Sequence, residues 1–197
     1  VDAERLYVQP DVYGHAYDLF LHPLDGGQAA LAAILGALGT HPAFGDWYVG
    51  SDHGWRLTTP KLAVEAEVLQ LVAASKTIGS VANLGGNRRL AFFAIVFLQP
   101  PVSINLWTKM SEVVGAFGLR DDDDDDDAPT TPWRRVMDSF YRDLAERAHA
   151  ASPLHGALIG PEVENELDWT APLPEDRWEG TLIAMADGLH WHPATRW

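Results

Sequence analysis

The chain contains no cysteine. That excludes disulfide scaffolds, thiolate zinc sites and a thiol nucleophile, and it suits a reducing compartment such as the cytoplasm. Basic residues are few, 14 Lys and Arg against 28 Asp and Glu, for a formal net charge of −14. Such a chain is repelled by polyanions, so direct nucleic-acid binding, which needs Lys and Arg to displace counterions, is disfavoured, as is an anionic membrane surface. No apolar run is long enough to cross a bilayer, which takes about 20 residues. The longest, "LAFFAIVFL" at residues 90–98, is a core strand by length. The opening "VDAERLYVQP" lacks the basic stretch and apolar run of a secretion signal. No GxSxG, GK[ST] phosphate loop, GxGxxG or HExxH pattern is present.

What is present suits one domain: 197 residues, 47% hydrophobic, with eight tryptophans. This is enough to bury a core without help from cross-links. Residues 5–22 read as one or two strands, with Tyr13, His15, Tyr17, Leu19 and Leu21 on one face by period-2 spacing. A turn at 23–27 leads to an Ala/Leu-rich helix over 28–39. A short strand covers Trp47 to Val49, followed by a polar loop. Thr59 and Pro60 start a helix over 61–75. Gly85–Asn87 is a turn into the strand at 90–98, which is apolar on both faces and so lies inside a sheet. A further strand runs from Val102 to Trp107. Met110, Val113, Val114 and Phe117 have helical spacing. The clearest helix is 131–151, with Thr131 as N-cap, Pro132 at its first position and a stripe of Trp133, Val136, Met137, Phe140, Leu144 and Ala148. Residues 152–177 read as Pro/Glu-rich loops and 179–186 as a strand. The pattern predicts an α+β fold in a single domain over 1–197, a mainly antiparallel sheet with helices packed on one side.

The most conspicuous segment is the run of seven aspartates, residues 121–127, which supplies half of the net charge and leaves the rest of the chain acidic as well. Calcium loops space their ligands with glycine so that the chain can wrap the ion. Seven aspartates in a row have no such spacing and repel one another. The run therefore reads first as a solvated, flexible acidic loop over 120–131, second as a docking patch for a basic partner, and third as a metal cage. Glu162, Glu164 and Glu166 would share one face of a strand, where paired carboxylates suit hydrolysis or metal binding and equally suit a charged edge that blocks sheet-to-sheet pairing. His190 and His192 share one side of an extended segment and are weak candidate metal ligands; Asp52 beside His53 and Ser51 after a strand lack the context of a working catalytic group.

The order of these pieces resembles the immunity proteins of bacterial polymorphic toxin systems, most of all the immunity family 52 type, encoded beside restriction-endonuclease-like toxins. The resemblance is carried by the early strand, the Ala/Leu helix, "HPAFGDWYVGSD" at 41–52, the helix "WRRVMDSFYRDLAERAHAASPLHGALI" at 133–159 with its Pro-Leu-His-Gly turn, and "WEGTLIAMADGL" at 178–189. It covers most of the chain as a pattern of elements; the aspartate run departs from it. It implies a non-enzymatic cytoplasmic protein that binds and neutralises a cognate toxin, a nuclease with a basic surface, without a cofactor. The expected contacts are Trp47, Tyr48, Asp52, Trp55, Glu162, Glu164 and Glu166, with Asp121, Asp124 and Asp127 of the run steering a cationic partner. Two alternatives stand beside it: a metal-dependent hydrolase built on His190 and His192, and a structural or phage-associated interaction domain.

Overall fold

A computed structural model describes residues 16–51, 54–57, 77–99, 101–119, 131–161, 163, 168–169 and 171–196. The expected helix over 61–75, the strand residues before 16, the acidic loop over 120–130, and Asp52, Glu162, Glu164 and Glu166 lie outside them.

Nine strands and three helices are described. The strands are β1 (Ala16–Pro23), β2 (Phe44–Ser51), β3 (Gly54–Leu57), β4 (Ile78–Asn83), β5 (Arg89–Phe97), β6 (Ser103–Lys109), β7 (Leu154–Pro161), β8 (Gly180–Met185) and β9 (Gly188–His192). They form one antiparallel sheet in the order β3-β2-β4-β5-β6-β1-β7-β8-β9. The helices are α1 (Gln28–Gly39), α2 (Met110–Phe117) and α3 (Pro132–Ala151), packed on one side of the sheet. This is the α+β arrangement that the alternating pattern predicts.

Side chains alternate along each strand, so every second residue faces the helices. Tyr17, Leu19 and Leu21 of β1, Leu90, Phe92, Ala94 and Val96 of β5 and Ile104 and Leu106 of β6 meet Leu31, Ile34, Leu35 and Leu38 of α1 and Met137, Tyr141 and Leu144 of α3 in one core. Helix α1 is apolar on most of its circumference because it packs against both the sheet and α3. Helix α3 starts as its sequence indicates, with Pro132 in the first turn, where a missing N–H costs nothing. Thr131 has extended backbone there but no side-chain capping bond. The stripe is rotated from the expected one: Trp133, Met137, Leu144 and Ala148 are buried, Val136 and Phe140 are half-buried, and Arg134, Tyr141 and Ala145 join the buried face.

The opposite face carries two smaller clusters, one of Ala91, Phe93, Tyr48 and Trp107, the other of Phe20, Leu158, Val163 and Trp169. Trp169 and Val163, from between β7 and β8 in the chain, lie against β7. Gly156 and Gly160 make that possible: a Cβ on Gly156 would lie 2.3 Å from the Trp169 ring, and one on Gly160 would touch Val163 at 3.4 Å.

Two expectations are corrected. Residues 154–161, read as loop, form β7, a strand buried between β1 and β8. The polar loop after Val49 is interrupted by β3, whose Gly54 pairs with Ser51 and whose Leu57 pairs with Tyr48.

Candidate functional site

Trp47 was an expected partner contact, but it is 1% exposed. Strict alternation would put Phe44 and Trp47 on opposite faces. A register shift between them puts both in the core, with ring centroids 4.9 Å apart. Trp47 therefore packs in the core in this structure. Its neighbour Tyr48 is half-buried on the other face, against Ala91 and Phe93. Trp55 lies in β3, paired with Gly50. Tyr48 and Trp55 thus lie on paired strands, and Asp52, Asp121, Asp124, Asp127, Glu162, Glu164 and Glu166 lie outside the described residues.

His190 and His192 do share a face of β9, opposite Ile183 and Thr181 of β8. Nε2 of His190 lies 2.7 Å from Oδ1 of Asp187 at the β8–β9 turn, and this bond holds the Asp187 carboxyl below the usual carboxylate range. Among the described residues no group of three His, Asp or Glu side chains is placed to hold a metal.

The densest polar cluster is one that sequence reasoning missed. It lies where α3 crosses β1 and β9. Arg134, Asp138 and Arg142 are spaced four apart and so line one side of α3. The Tyr17 hydroxyl donates to Oδ1 of Asp138, and the Tyr141 hydroxyl donates to the Tyr17 carbonyl at 2.7 Å. The buried Arg134 guanidinium donates to the Trp178 carbonyl at 3.1 Å. The Arg142 guanidinium sits 5.2 Å from the centre of the Trp191 ring, and that ring occupies the space that a side chain on Gly180 would need. Burial raises the Asp138 carboxyl above its ordinary range, against the Tyr17 bond and both arginines, which lower it. Burial also pushes both phenols well above 10, so at neutral pH they are hydrogen-bond donors and not nucleophiles. The spacing of Arg134, Asp138 and Arg142 was visible in the sequence. That a tyrosine 121 residues away supplies the donor was not.

A second arrangement has the outline of an acid–base dyad. His41, buried beside Phe44 and Phe140, places Nε2 at 2.7 Å from Oδ2 of Asp143 on α3. Its Nδ1 accepts the Ala43 N–H at 3.1 Å, which puts the proton on Nε2. Both ring nitrogens are therefore occupied, and neither is available to take a proton from a substrate. The pair fastens α3 to the segment that follows α1, with Arg147 adding a 3.5 Å contact to Asp143.

His22 is different. It is 3% exposed, its ring packs 4.8 Å from Trp169, and its Nε2 has no hydrogen-bond partner among the described residues. Burial, helped by His155, lowers its pKa to about 4, so the ring is neutral at neutral pH.

Exposed apolar side chains mark the surface. Leu24, Phe97, Leu98 and Met185 lie at one end of the sheet, and Trp178 lies at the other. No described helix is long and apolar enough to cross a membrane. Compared with known proteins, the chain matches no family model, no curated protein and no solved structure.

Proposed function

We propose that the protein is an immunity protein that binds a basic toxin, a nuclease in the simplest case, and blocks it by occupying its surface. The carrying observation is the charge of −14, half of it in one seven-residue run. A nuclease must attract a polyanion, and an acidic protein uses the same field, which speeds encounter and selects cationic partners. Two features support binding as the task. The polar clusters at α3 are occupied by structural bonds, from Tyr141 to Tyr17, from His41 to Asp143 and from Arg134 to Trp178. Large apolar side chains stand exposed at the sheet ends, the kind of group that anchors interfaces. The resemblance to immunity family 52 points the same way.

Co-expression with the toxin encoded beside the gene tests this. Cells carrying both are expected to grow, and cells carrying the toxin with an unrelated acidic protein are expected to die. Equal killing in both would end the proposal. The rival, a hydrolase built on His190 and His192, requires stoichiometric metal in protein purified without chelator and a fall in melting temperature when that metal is removed.

A further inference from the structure

The exposed indole of Trp178 already carries a cation. The Arg196 guanidinium lies 6.0 Å from the centre of its ring and donates to Oδ2 of Asp176. A hydrogen-bonded clasp between residues 174–178 and 193–196 presents these groups together. The Arg177 carbonyl accepts the N–H groups of Thr195 and Arg196, each at 2.8 Å, and the Arg177 N–H donates to Thr195 Oγ1 at 2.7 Å. Thr195 Oγ1 in turn donates to the Glu175 carbonyl at 2.8 Å. The Arg177 guanidinium is committed to backbone, donating to the Pro174 and Pro193 carbonyls at 2.6 and 2.8 Å. From α3, the buried Arg134 donates to the Trp178 carbonyl at 3.1 Å.

The clasp fixes backbone and leaves the side chains that face solvent only lightly engaged. Trp178 is 53% exposed, and the Asp176 and Arg196 side chains are 63% and 50% exposed. An ion pair so exposed is weak, and 6.0 Å is the outer limit of cation–π attraction. Arg196 is thus a loosely held occupant. It shows which chemistry this place takes, and an outside group of the same kind can displace it. Glu175 and Glu179 belong to the same stretch, so carboxylates outnumber Arg177 and Arg196 there and draw in a further cation.

We propose that Trp178 and Asp176 form the seat for an arginine side chain of a basic partner protein, and that Arg196 occupies this seat in the free chain as a tethered competitor. This rests on the binding function proposed above and assigns it a contact. Arginine suits the seat better than lysine. A planar guanidinium lies on an indole and pairs with a carboxylate at once, whereas an ammonium is a compact, strongly hydrated point charge. A competitor on the same chain acts at high effective concentration, so it lowers the affinity for every outside cation.

The test uses the full chain, acetyl-arginine methylamide as a probe of single charge, and the Trp178 indole N–H resonance as a local reporter, identified by its absence from Trp178→Leu. The resonance is expected to shift and saturate as the probe is added. Arg196→Gln, which keeps the backbone bond to Arg177, should bind the probe about fivefold more tightly, the scale of one cation–π contact. Adding Asp176→Asn to that variant should weaken binding again, and acetyl-lysine methylamide should bind less well than the arginine probe. All three substituted side chains are exposed, so the wild-type melting temperature is expected to be kept. No shift at Trp178 in Arg196→Gln, or the same affinity with and without Arg196, would overturn the proposal. The toxin arm separates this proposal from the function. Trp178→Leu with Asp176→Asn is expected to weaken toxin binding by at least about tenfold, the scale of one interface anchor. Toxin bound equally by this variant and the wild type sinks the seat and keeps the function. Probe binding at Trp178 that tightens in Arg196→Gln, without any toxin complex, keeps the seat and sinks the function.

Discussion

At Gly156 and Gly180 the sheet has no room for a methyl group. A Cβ on Gly156 would lie 2.3 Å from the Leu182 carbonyl as well as from Trp169, and one on Gly180 would lie 1.8 Å from the tip of the Trp191 ring. Backbone cannot swing aside, whereas an indole can. Gly156→Ala is therefore expected to cost more stability than Gly180→Ala, with the latter near 2 kcal/mol, the usual scale of overpacking. Urea denaturation checks the order, and adding Trp191→Ala should recover part of the Gly180→Ala loss and none of the Gly156→Ala loss. His22 adds a dependence on pH. Its folded pKa of about 4 lies below the ordinary 6.5, so the unfolded chain binds the proton more tightly. The neutral ring is tolerated above pH 6.5, and stability falls as pH drops from 6.5 towards 4, by roughly 3 kcal/mol if the whole shift is realised. His22→Leu should flatten that part of the profile; parallel wild-type and variant curves would contradict it. These residues also show where sequence reading stops. Glycine in a strand is a poor sign of a strand, and β7 with Gly156 and Gly160 reads as loop until Trp169 and Val163 are seen lying across it. Trp47 reads as a surface aromatic until the register shift turns it inward.

At the scale of elements, α3 organises the molecule. Leu144 and Met137 sit in the core, Tyr141 is bonded to the β1 backbone, and His41 ties the helix to the end of α1. Leu144→Ala is expected to cost about 3 kcal/mol by leaving a cavity. Tyr141→Phe, which keeps the ring and loses one bond to the Tyr17 carbonyl, should cost about 1 kcal/mol. Chemical denaturation of both variants checks the ratio, and a larger loss for Tyr141→Phe would show that the polar network outweighs the packing. All three described helices were legible to within a residue or two, because Pro132, the Ala/Leu run and the 3.6-residue spacing are local signals. The central strand β5 was legible from its unbroken apolar run. Strand β9 was not read as a strand, since five residues with two histidines carry too little pattern.

At the scale of the whole molecule, the sequence gives net charge but not its direction. Only the register shows that Asp25 and Asp187 share one end of the sheet with exposed Leu24 and Met185, while Arg177 and Arg196 lie toward the other beside Glu175, Asp176 and Glu179. On the function proposed above, the aspartate run belongs to this scale too. Replacing residues 121–127 by Gly and Ser is expected to slow association with a basic partner on the order of tenfold at low salt and to leave dissociation nearly unchanged, because steering acts on encounter. Stopped-flow kinetics separate the two rates.

The central claim is that an acidic surface captures a basic toxin, and the most direct measurement is the association rate of the purified chain with the toxin encoded beside it across a range of ionic strength. The account predicts a stable complex whose association slows steeply as salt rises. A rate independent of salt, or no complex at any salt, would contradict it.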